Sequence, residues 1–216
     1  MKETPTVPVP KGLISFIREG SSFIVAGHME PDGDCLGSQL ALCSFLSRLG
    51  KKALPYSDGP FKRNEIKDME TLFGRIPSKE EVEGSRLIVL DCSNLSRLGE
   101  LASHLEGMEA ASIDHHVAGD PFGKVQFIVP ESPSTTILVQ ALIEAFDQKP
   151  TAEEAQLLLF GFCTDTGYFR HLDQSAGTWM AYVARLLDYG ANPKKAFARM
   201  QGGKSLDSRK LLGIVL

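Results

Sequence analysis

Four short apolar runs constrain the fold of this chain more than any other feature. They are "SFIVAG", "KALPYS", "RLIVLD" and "AASID", at residues 22–27, 52–57, 86–91 and 110–114. Helical patterns separate them, as over residues 36–50, where apolar side chains recur at helical spacing up to Gly50. Strands that alternate with helices imply parallel crossovers, so the sequence predicts an open α/β sheet with helices on both faces.

The second half of the chain follows a helical pattern. Helices are predicted over residues 132–147, 151–162 and 176–191, in addition to earlier ones over 11–19 and 64–73. Thr151 with Glu154 three residues later has the spacing of a capping box. The apolar pattern of residues 205–216 runs to Leu216 without a cap, so we expect that the chain is cut inside a helix or linker.

Polar side chains stand at the ends of three predicted strands. His28 follows the first, Asp91 ends the third and Asp114 ends the fourth. In open α/β sheets, ligands gather outside the carboxyl ends of the strands, so three distant segments should deliver these groups to one edge. "HMEPDGDCLGS", from residue 28, adds Asp32 and Asp34, separated by a Gly that lets both carboxylates point toward neighbouring ions.

The candidate site carries many negative groups. The full set is His28, Asp32, Asp34, Asp91, Asp114, His115, His116 and Asp165. Clustered carboxylates raise one another's pKa unless cations lie among them. Oxygen ligands with a few imidazoles favour Mn²⁺, with Mg²⁺ also suitable. Two such ions, about 3.5–4 Å apart, activate a water and clamp the leaving oxygen of a phosphoester.

Each feature also has a simpler structural interpretation when taken alone. "PDGD" is typical of a surface turn, and Asp91 could cap a strand end. A single histidine is usually structural, and Asp165 could belong to a loop after a helix. Cysteines beside the candidate ligands are typical of buried small apolar residues rather than of thiolate ligands. The joint placement of the polar groups at strand ends is what favours a site.

Composition excludes several classes of function. A net charge of −4 argues against binding of long duplex nucleic acid. No apolar run reaches the ~20 residues of a membrane span, and the N-terminus lacks the apolar core of a signal peptide. The 4 cysteines form no C-x-x-C pair. We therefore expect a cytoplasmic protein without disulfides or membrane contacts.

Four segments, in order, resemble the motifs of the DHH phosphoesterase family, which is RecJ-like. They are "HMEPDGDCLGS", "LIVLDCS", "SIDHH" and "GFCTDTGYFRH", all within residues 22–171. The last of them, with "LLDYGANPKKAF", looks most like the nano-RNase and 3′-phosphoadenosine 5′-phosphate phosphatase branch. The resemblance implies a Rossmann-like catalytic domain over residues 1–190 and a helical linker over 191–216, leading toward a missing C-terminal substrate-binding domain.

The resemblance also implies roles for single residues. One Mn²⁺ would be held by His28 and Asp32, and a second ion by Asp34, His115 and Asp165. Asp91 would bridge both ions. His116 would lie near the scissile phosphate, and Asp114 would orient the adjacent site, which makes Asp91, His116 and Asp114 the catalytic group.

Substrate contacts are less sharply implied. His116, Arg170 and His171 are the candidates for contact with a substrate phosphate, although Arg170 could equally form an exposed structural salt bridge. Glu30 departs from the usual polar uncharged residue and adds negative charge near the first ion.

The resulting hypothesis is an Mn²⁺-dependent hydrolase of short oligoribonucleotides, acting as an exonuclease, and of 3′-phosphoadenosine 5′-phosphate. Two alternatives keep the metals and change the substrate, to a cyclic dinucleotide or to pyrophosphate and polyphosphate. A third is a metal-binding module without turnover. A homodimer is also expected to be possible.

Overall fold

The computed structural model describes residues 6–117, 119–120 and 122–202. It contains one sheet of 5 strands in the order β2-β1-β3-β4-β5, and every neighbouring pair is parallel. The strands are β1 Ser22–Gly27, β2 Lys52–Tyr56, β3 Arg86–Leu90, β4 Ala110–Asp114 and β5 Val125–Ile128. The predicted parallel α/β sheet is therefore confirmed.

The helices of the described residues connect and cover these strands. They are α1 Lys11–Glu19, α2 Gly33–Arg48, α3 Lys79–Glu83, α4 Leu101–Leu105, α5 Thr135–Ala145, α6 Ala152–Asp165, α7 Gly177–Asp188 and α8 Pro193–Gln201. None of the described helices is long and apolar enough to cross a membrane.

The strand register brings the polar strand ends together. Gly27 of β1 is paired with Leu90 of β3, and Leu90 is paired with Ile113 of β4. The three strands therefore end at the same level. The residues that come next, His28, Asp91 and Asp114, emerge side by side at the carboxyl edge.

Helices lie on both faces of the sheet, as predicted. On one face, Phe23 and Val25 of β1 pack into a large core with α1, α2 and α5. On the other, Ile24 and Ala26 pack against a smaller cover from α4 and the segment before it. Alternate residues of β1 face opposite sides, as a central strand requires, because successive side chains of a strand point in opposite directions.

Helix α6 packs against α2 at very close range. A methyl group on Gly37 of α2 would lie 2.7 Å from the backbone oxygen of Leu157, and one on Gly161 of α6 would lie 2.9 Å from that of Gly33. The absence of a Cβ at both positions is what allows the helix backbones to approach. This contact fixes Asp34, near the start of α2, relative to Asp165, at the end of α6.

The capping box at Thr151 is present. The Glu154 backbone N–H donates to the Thr151 hydroxyl, and the Glu154 carboxylate accepts from the Thr151 backbone N–H. The same buried carboxylate accepts from Ser44 (2.7 Å) and from Arg48 (2.9 Å), both on α2. Glu154 therefore begins α6 and also ties it to α2.

Several predicted elements differ from the structure. The helix predicted over residues 64–73 is a short 3₁₀ helix at Lys67–Leu72, and β5 was not predicted. The helix predicted over 151–162 continues to Asp165. In the predicted linker, α8 covers the first part, while residues 203–216 lie outside the described residues.

Candidate metal centre

A polar cleft of about 320 Å³ opens at the carboxyl edge of the sheet. Segments that follow β1, β3 and β4 meet the end of α6 there. The lining residues are His28, Met29, Glu30, Asp32, Arg63, Asp91, Arg97, His116 and Asp165. Groups that are far apart in sequence therefore share one cavity, as the strand-end pattern predicts.

His28 is buried and its ring orientation is fixed. Nδ1 lies 2.8 Å from the backbone oxygen of Met29, which can only accept a hydrogen bond, so Nδ1 carries the proton. Nε2 then faces the carboxylate of Asp91, at 3.5 Å from Oδ2. A histidine held in this way presents a nitrogen to a cation, because the bond from its other nitrogen sets the tautomer.

Asp32 and Asp34 have different surroundings although only Gly33 separates them. Asp32 is the N-cap of α2, and its Oδ1 accepts from the backbone N–H groups of Asp34 (3.0 Å) and Cys35 (3.1 Å). Oδ2 of Asp32 is 3.6 Å from Arg63. The capping bonds occupy one oxygen and leave the other available on the cleft side.

Asp34 is fully buried and supports a second helix. Its Oδ2 accepts from the backbone N–H of Thr135 (2.7 Å), and its Oδ1 accepts from that of Thr136 (3.0 Å). These N–H groups begin α5, where the helix dipole favours a negative charge. Oδ2 also lies 3.9 Å from Nε2 of His115.

Asp91 stands at the centre of the cluster. Its Oδ2 faces His28, while its Oδ1 is 3.5 Å from Nε2 of His115 and accepts from the Thr135 hydroxyl at 3.1 Å. The backbone of Asp91 is left-handed, with φ 55°. The two carboxylate oxygens therefore face different imidazoles, which is the arrangement expected of a carboxylate that lies between two cations.

The imidazole of His115 lies close to the carboxylates of Asp34, Asp91 and Asp165. Nδ1 of His115 lies 3.1 Å from the backbone oxygen of Ser132, so this ring too directs Nε2 into the cluster. Nε2 of His115 is 3.4 Å from Oδ2 of Asp165. The continuation of α6 beyond residue 162 is what places Asp165 at this distance.

Asp114 acts on both histidines that follow it. Its Oδ1 accepts from the backbone N–H groups of His115 (2.7 Å) and His116 (3.2 Å), and it lies 2.7 Å from Nδ1 of His116. The hydrogen bond to Asp114 raises the pKa of His116. Asp114 is not among the residues that line the cleft, and the orienting role proposed for it stays a prediction.

Burial and crowding of like charges perturb the carboxyl groups. Burial, with the charges of Asp91 and Asp165, raises the pKa of Asp34 well above its ordinary value. Burial, with Asp91 and Asp32, raises the pKa of Asp165 to about 6. These groups are costly to ionise together unless a cation is present.

The pKa values of the imidazoles of His28 and His115 are raised, although burial alone would lower them. Burial lowers the pKa of His28, but Cys35 and Asp91 outweigh it and raise the pKa to about 12. Burial likewise lowers the pKa of His115, but Asp91 and Asp34 raise it to about 10. Burial would raise the pKa of Asp91, yet His115 and His28 bring it far below its ordinary value. Protons thus balance the negative charge, which is the role that a divalent cation takes in such sites.

The donor set suits divalent ions in its chemistry and in its spacing. Three overlapping groups have possible ligand atoms within 4.8 Å of one another: Asp34, His115 and Asp165; Asp91, His115 and His116; and His28, Cys35 and Asp91. Carboxylate and imidazole donors dominate, as Mn²⁺ and Mg²⁺ sites require. Asp32 belongs to none of the three groups, but it lines the same cleft.

The four cysteines are free and buried. Burial raises the pKa of the Cys43 thiol far above its ordinary value, and it raises the pKa of the Cys163 thiol to about 12. Both thiols are therefore neutral, which for Cys163 agrees with the interpretation of the cysteines beside the candidate ligands. Cys35 is fully buried beside His28 and does not line the cleft.

Two predicted substrate contacts lie away from the cleft lining. Arg170 and His171 are exposed in the turn after α6, and Nε of Arg170 donates to the backbone oxygen of Gly167 at 3.0 Å. Neither is among the residues that line the cleft. Their proposed contact with a phosphate stays a prediction.

Two arginines of the cleft are not predicted from the sequence. Arg63 and Arg97 line it, and no spacing rule marks either of them. The polar start of α5 could have pointed to Thr135 as a helix-terminal donor. The negative charge of Glu30 is balanced by Lys62, whose Nζ is 2.5 Å from Oε1 of Glu30.

The chain is similar to known proteins in sequence. The family described as "DHH family, N-terminal domain" matches residues 22–162. The bifunctional oligoribonuclease and PAP phosphatase NrnA of Thermus thermophilus is 34% identical over 184 residues, which is 85% of this chain and 54% of that protein. The chain thus spans about half the length of this curated relative.

Solved structures share the fold. An exopolyphosphatase-related protein from Bacteroides fragilis superposes with a TM-score of 0.83 at 23% identity, over 94% of this chain and 63% of that one. The exonuclease RecJ bound to manganese superposes with a TM-score of 0.54 at 22% identity, over 91% of this chain and 56% of that one. Both similarities concern the architecture of the polypeptide.

Proposed function

Because this chain belongs to the DHH family, we propose that it is the catalytic domain of a two-metal phosphohydrolase of short oligoribonucleotides and of 3′-phosphoadenosine 5′-phosphate. One observation carries the proposal: Asp91 directs its two oxygens to His28 and His115, at 3.5 Å each. This arrangement suits a carboxylate shared by two ions. The activities named for the 34% identical Thermus thermophilus relative support the choice of substrate.

The ligands divide into two sets around Asp91. His28 and Asp32 would hold one ion, while Asp34, His115 and Asp165 would hold the other. Bound Mn²⁺ or Mg²⁺ would supply a water acidic enough to attack phosphorus and positive charge for the phosphoryl oxygens. His28 and His115 donate hydrogen bonds to the backbone oxygens of Met29 and Ser132, and Asp34 accepts from the start of α5, so these ligands are oriented before substrate arrives.

His116 is the group placed to act on the substrate directly. Asp114 holds its Nδ1 at 2.7 Å, so the opposite nitrogen, Nε2, is free to serve the cleft that the ring lines. In that position the protonated ring donates a hydrogen bond to a phosphoryl oxygen and stabilises the charge that grows there in the transition state. Asp114 positions this ring and keeps the proton on Nδ1.

The proposal is tested with the full-length protein and two substrates. We expect Mn²⁺-dependent release of mononucleotides from a diribonucleotide and of inorganic phosphate from 3′-phosphoadenosine 5′-phosphate, measured by chromatography and by a phosphate assay. A chelator should stop both reactions, and added Mn²⁺ should restore them.

The same assay separates the alternatives. Hydrolysis of a cyclic dinucleotide, pyrophosphate or polyphosphate, without release from either expected substrate, would overturn the substrate class while keeping the metals. Tight Mn²⁺ binding with no hydrolysis of any of these compounds would identify a binding module instead.

A further inference from the structure

Arg97 is a half-buried cation that lines the cleft. We propose that its guanidinium binds a second phosphate of the substrate, the one that is not hydrolysed, and thereby selects substrates with two phosphates. This inference rests on the proposed phosphohydrolase function. It assigns a specificity role to a residue outside the metal ligands.

The backbone around Arg97 is rigidly placed. Arg97 lies in the 3₁₀ helix Leu95–Leu98 that follows β3, and the Asn94 side chain caps this helix by accepting from the Ser96 backbone N–H at 2.7 Å. The backbone oxygen of Arg97 accepts from the N–H of Met29 at 2.7 Å. Arg97 is thereby attached to the residue next to His28, so its position is set by the same loop that forms the cleft.

The charge pairing around the cleft singles out Arg97. Lys62 is paired with Glu30 at 2.5 Å, and Arg63 lies 3.6 Å from Asp32. Arg97, by contrast, has no carboxylate within 4.0 Å among the residues that the structure describes. A guanidinium presents a fork of N–H donors that matches two phosphate oxygens. An open guanidinium in the wall of a cleft is therefore suited to an anionic ligand.

The strand order places the backbone at Arg97 and the backbone at His116 at two separate ends of the sheet's carboxyl edge, on either side of the end of β3. Arg97 is attached to the loop after β1, and His116 follows β4, with β3 between these two strands. Neighbouring strands are about 4.8 Å apart, so the two ends are separated by roughly two strand spacings, about 10 Å. A nucleotide with a phosphate on each side of its ribose suits this separation. The phosphate near His116 and the ligand cluster is hydrolysed, and the other lies at Arg97.

Arg63 lines the cleft beside Asp32, which follows β1, and adds a second positive charge near Arg97. Its side chain is about half exposed, and the carboxylate beside it among the described residues is that of Asp32, at 3.6 Å. If Asp32 binds a cation, its attraction for Arg63 weakens, and Arg63 becomes available to the same phosphate. Two guanidinium groups would then face one anion at the end of the cleft away from His116.

The test compares two substrates that differ only in the second phosphate. Full-length wild type, Arg97→Ala and Arg97→Lys are assayed with Mn²⁺ on 3′-phosphoadenosine 5′-phosphate and on adenosine 3′-monophosphate. Arg97→Ala should lower kcat/KM for the first substrate by about 10- to 100-fold, mainly through KM, because charge-assisted hydrogen bonds are lost. The value for the second substrate should stay within about twofold, and Arg97→Lys should recover part of the loss.

The control is Arg18→Ala, which removes an exposed guanidinium on α1. This variant should leave kcat/KM unchanged for both substrates. An equal loss on both substrates, or no loss on either, with Arg97→Ala would overturn the inference while leaving the phosphohydrolase intact.

Calorimetry keeps the inference testable if wild type hydrolyses neither substrate, which would overturn the proposed function itself. Binding of 3′-phosphoadenosine 5′-phosphate is then compared between wild type and Arg97→Ala. Binding by wild type that Arg97→Ala weakens supports the anion site. No binding, or equal binding by both, overturns it.

Discussion

Replacement of Asp91 by asparagine is expected to remove both metal ions at once and to lower kcat/KM by at least about 10³-fold. The amide cannot serve two cations as a carboxylate does, since only one of its two terminal atoms is an acceptor. Loss of a single electrostatic donor already costs about 10²–10³ in rate in other enzymes. Mn²⁺ binding by calorimetry and hydrolysis of 3′-phosphoadenosine 5′-phosphate provide the two measurements.

Two further variants isolate the bridging role. Asn tolerates the left-handed backbone of position 91, and Asp147→Asn makes the same change at an exposed residue with φ 56°. That control should retain both ions. His28→Ala should lose the ion on its own side and keep the other. If Asp91→Asn kept one ion at wild-type affinity, the bridge would be disproved.

The second large effect is expected at the contact between α2 and α6. Gly161→Ala would place a methyl group 2.6 Å from Cγ2 of Thr136 and 2.9 Å from Cα of Asp34. The added volume should lower the free energy of unfolding by about 1–3 kcal/mol, because a packed core cannot absorb an extra methyl without strain. Since the clash involves Asp34 itself, weaker Mn²⁺ binding should accompany it. Urea unfolding and Mn²⁺ titration test the two effects.

Gly177→Ala is the matched control. Gly177 is also helical, at the start of α7, and a methyl group there meets no atom within 4 Å. This change should leave stability equal or higher by up to about 1 kcal/mol, since Ala favours a helix more than Gly does. Equal effects of the two substitutions would contradict the packing argument.

Much of the fold follows from local patterns in the sequence. Four of the five strands have apolar runs bounded by polar or glycine residues, and alternation with helices indicates that they are parallel. β5 was missed because "VQFI" is short and only Phe127 in it is buried. The helix predicted over 64–73 is a 3₁₀ helix at Lys67–Leu72 instead, although Ile66, Met69 and Phe73 are buried at the spacing that favoured an α-helix.

In the site, too, the residues at strand ends could be predicted from the sequence, whereas contacts between distant segments could not. His28, Asp91 and Asp114 could be placed at one edge because each follows or ends a strand, and parallel strands end together. Hydrogen-bond partners that depend on the packing of distant segments could not be predicted in this way. The start of α5 donates a hydrogen bond to Asp34 from 101 positions away, and the loop of Arg97 is joined to the loop after His28 by a backbone hydrogen bond from Met29.

The most direct test of the two-metal centre is the number of Mn²⁺ ions that the protein retains. Wild type is dialysed to equilibrium against Mn²⁺, and bound metal is counted by elemental analysis against protein concentration. We expect two ions per chain. Retention of none, or of a single ion at saturation, would contradict the account.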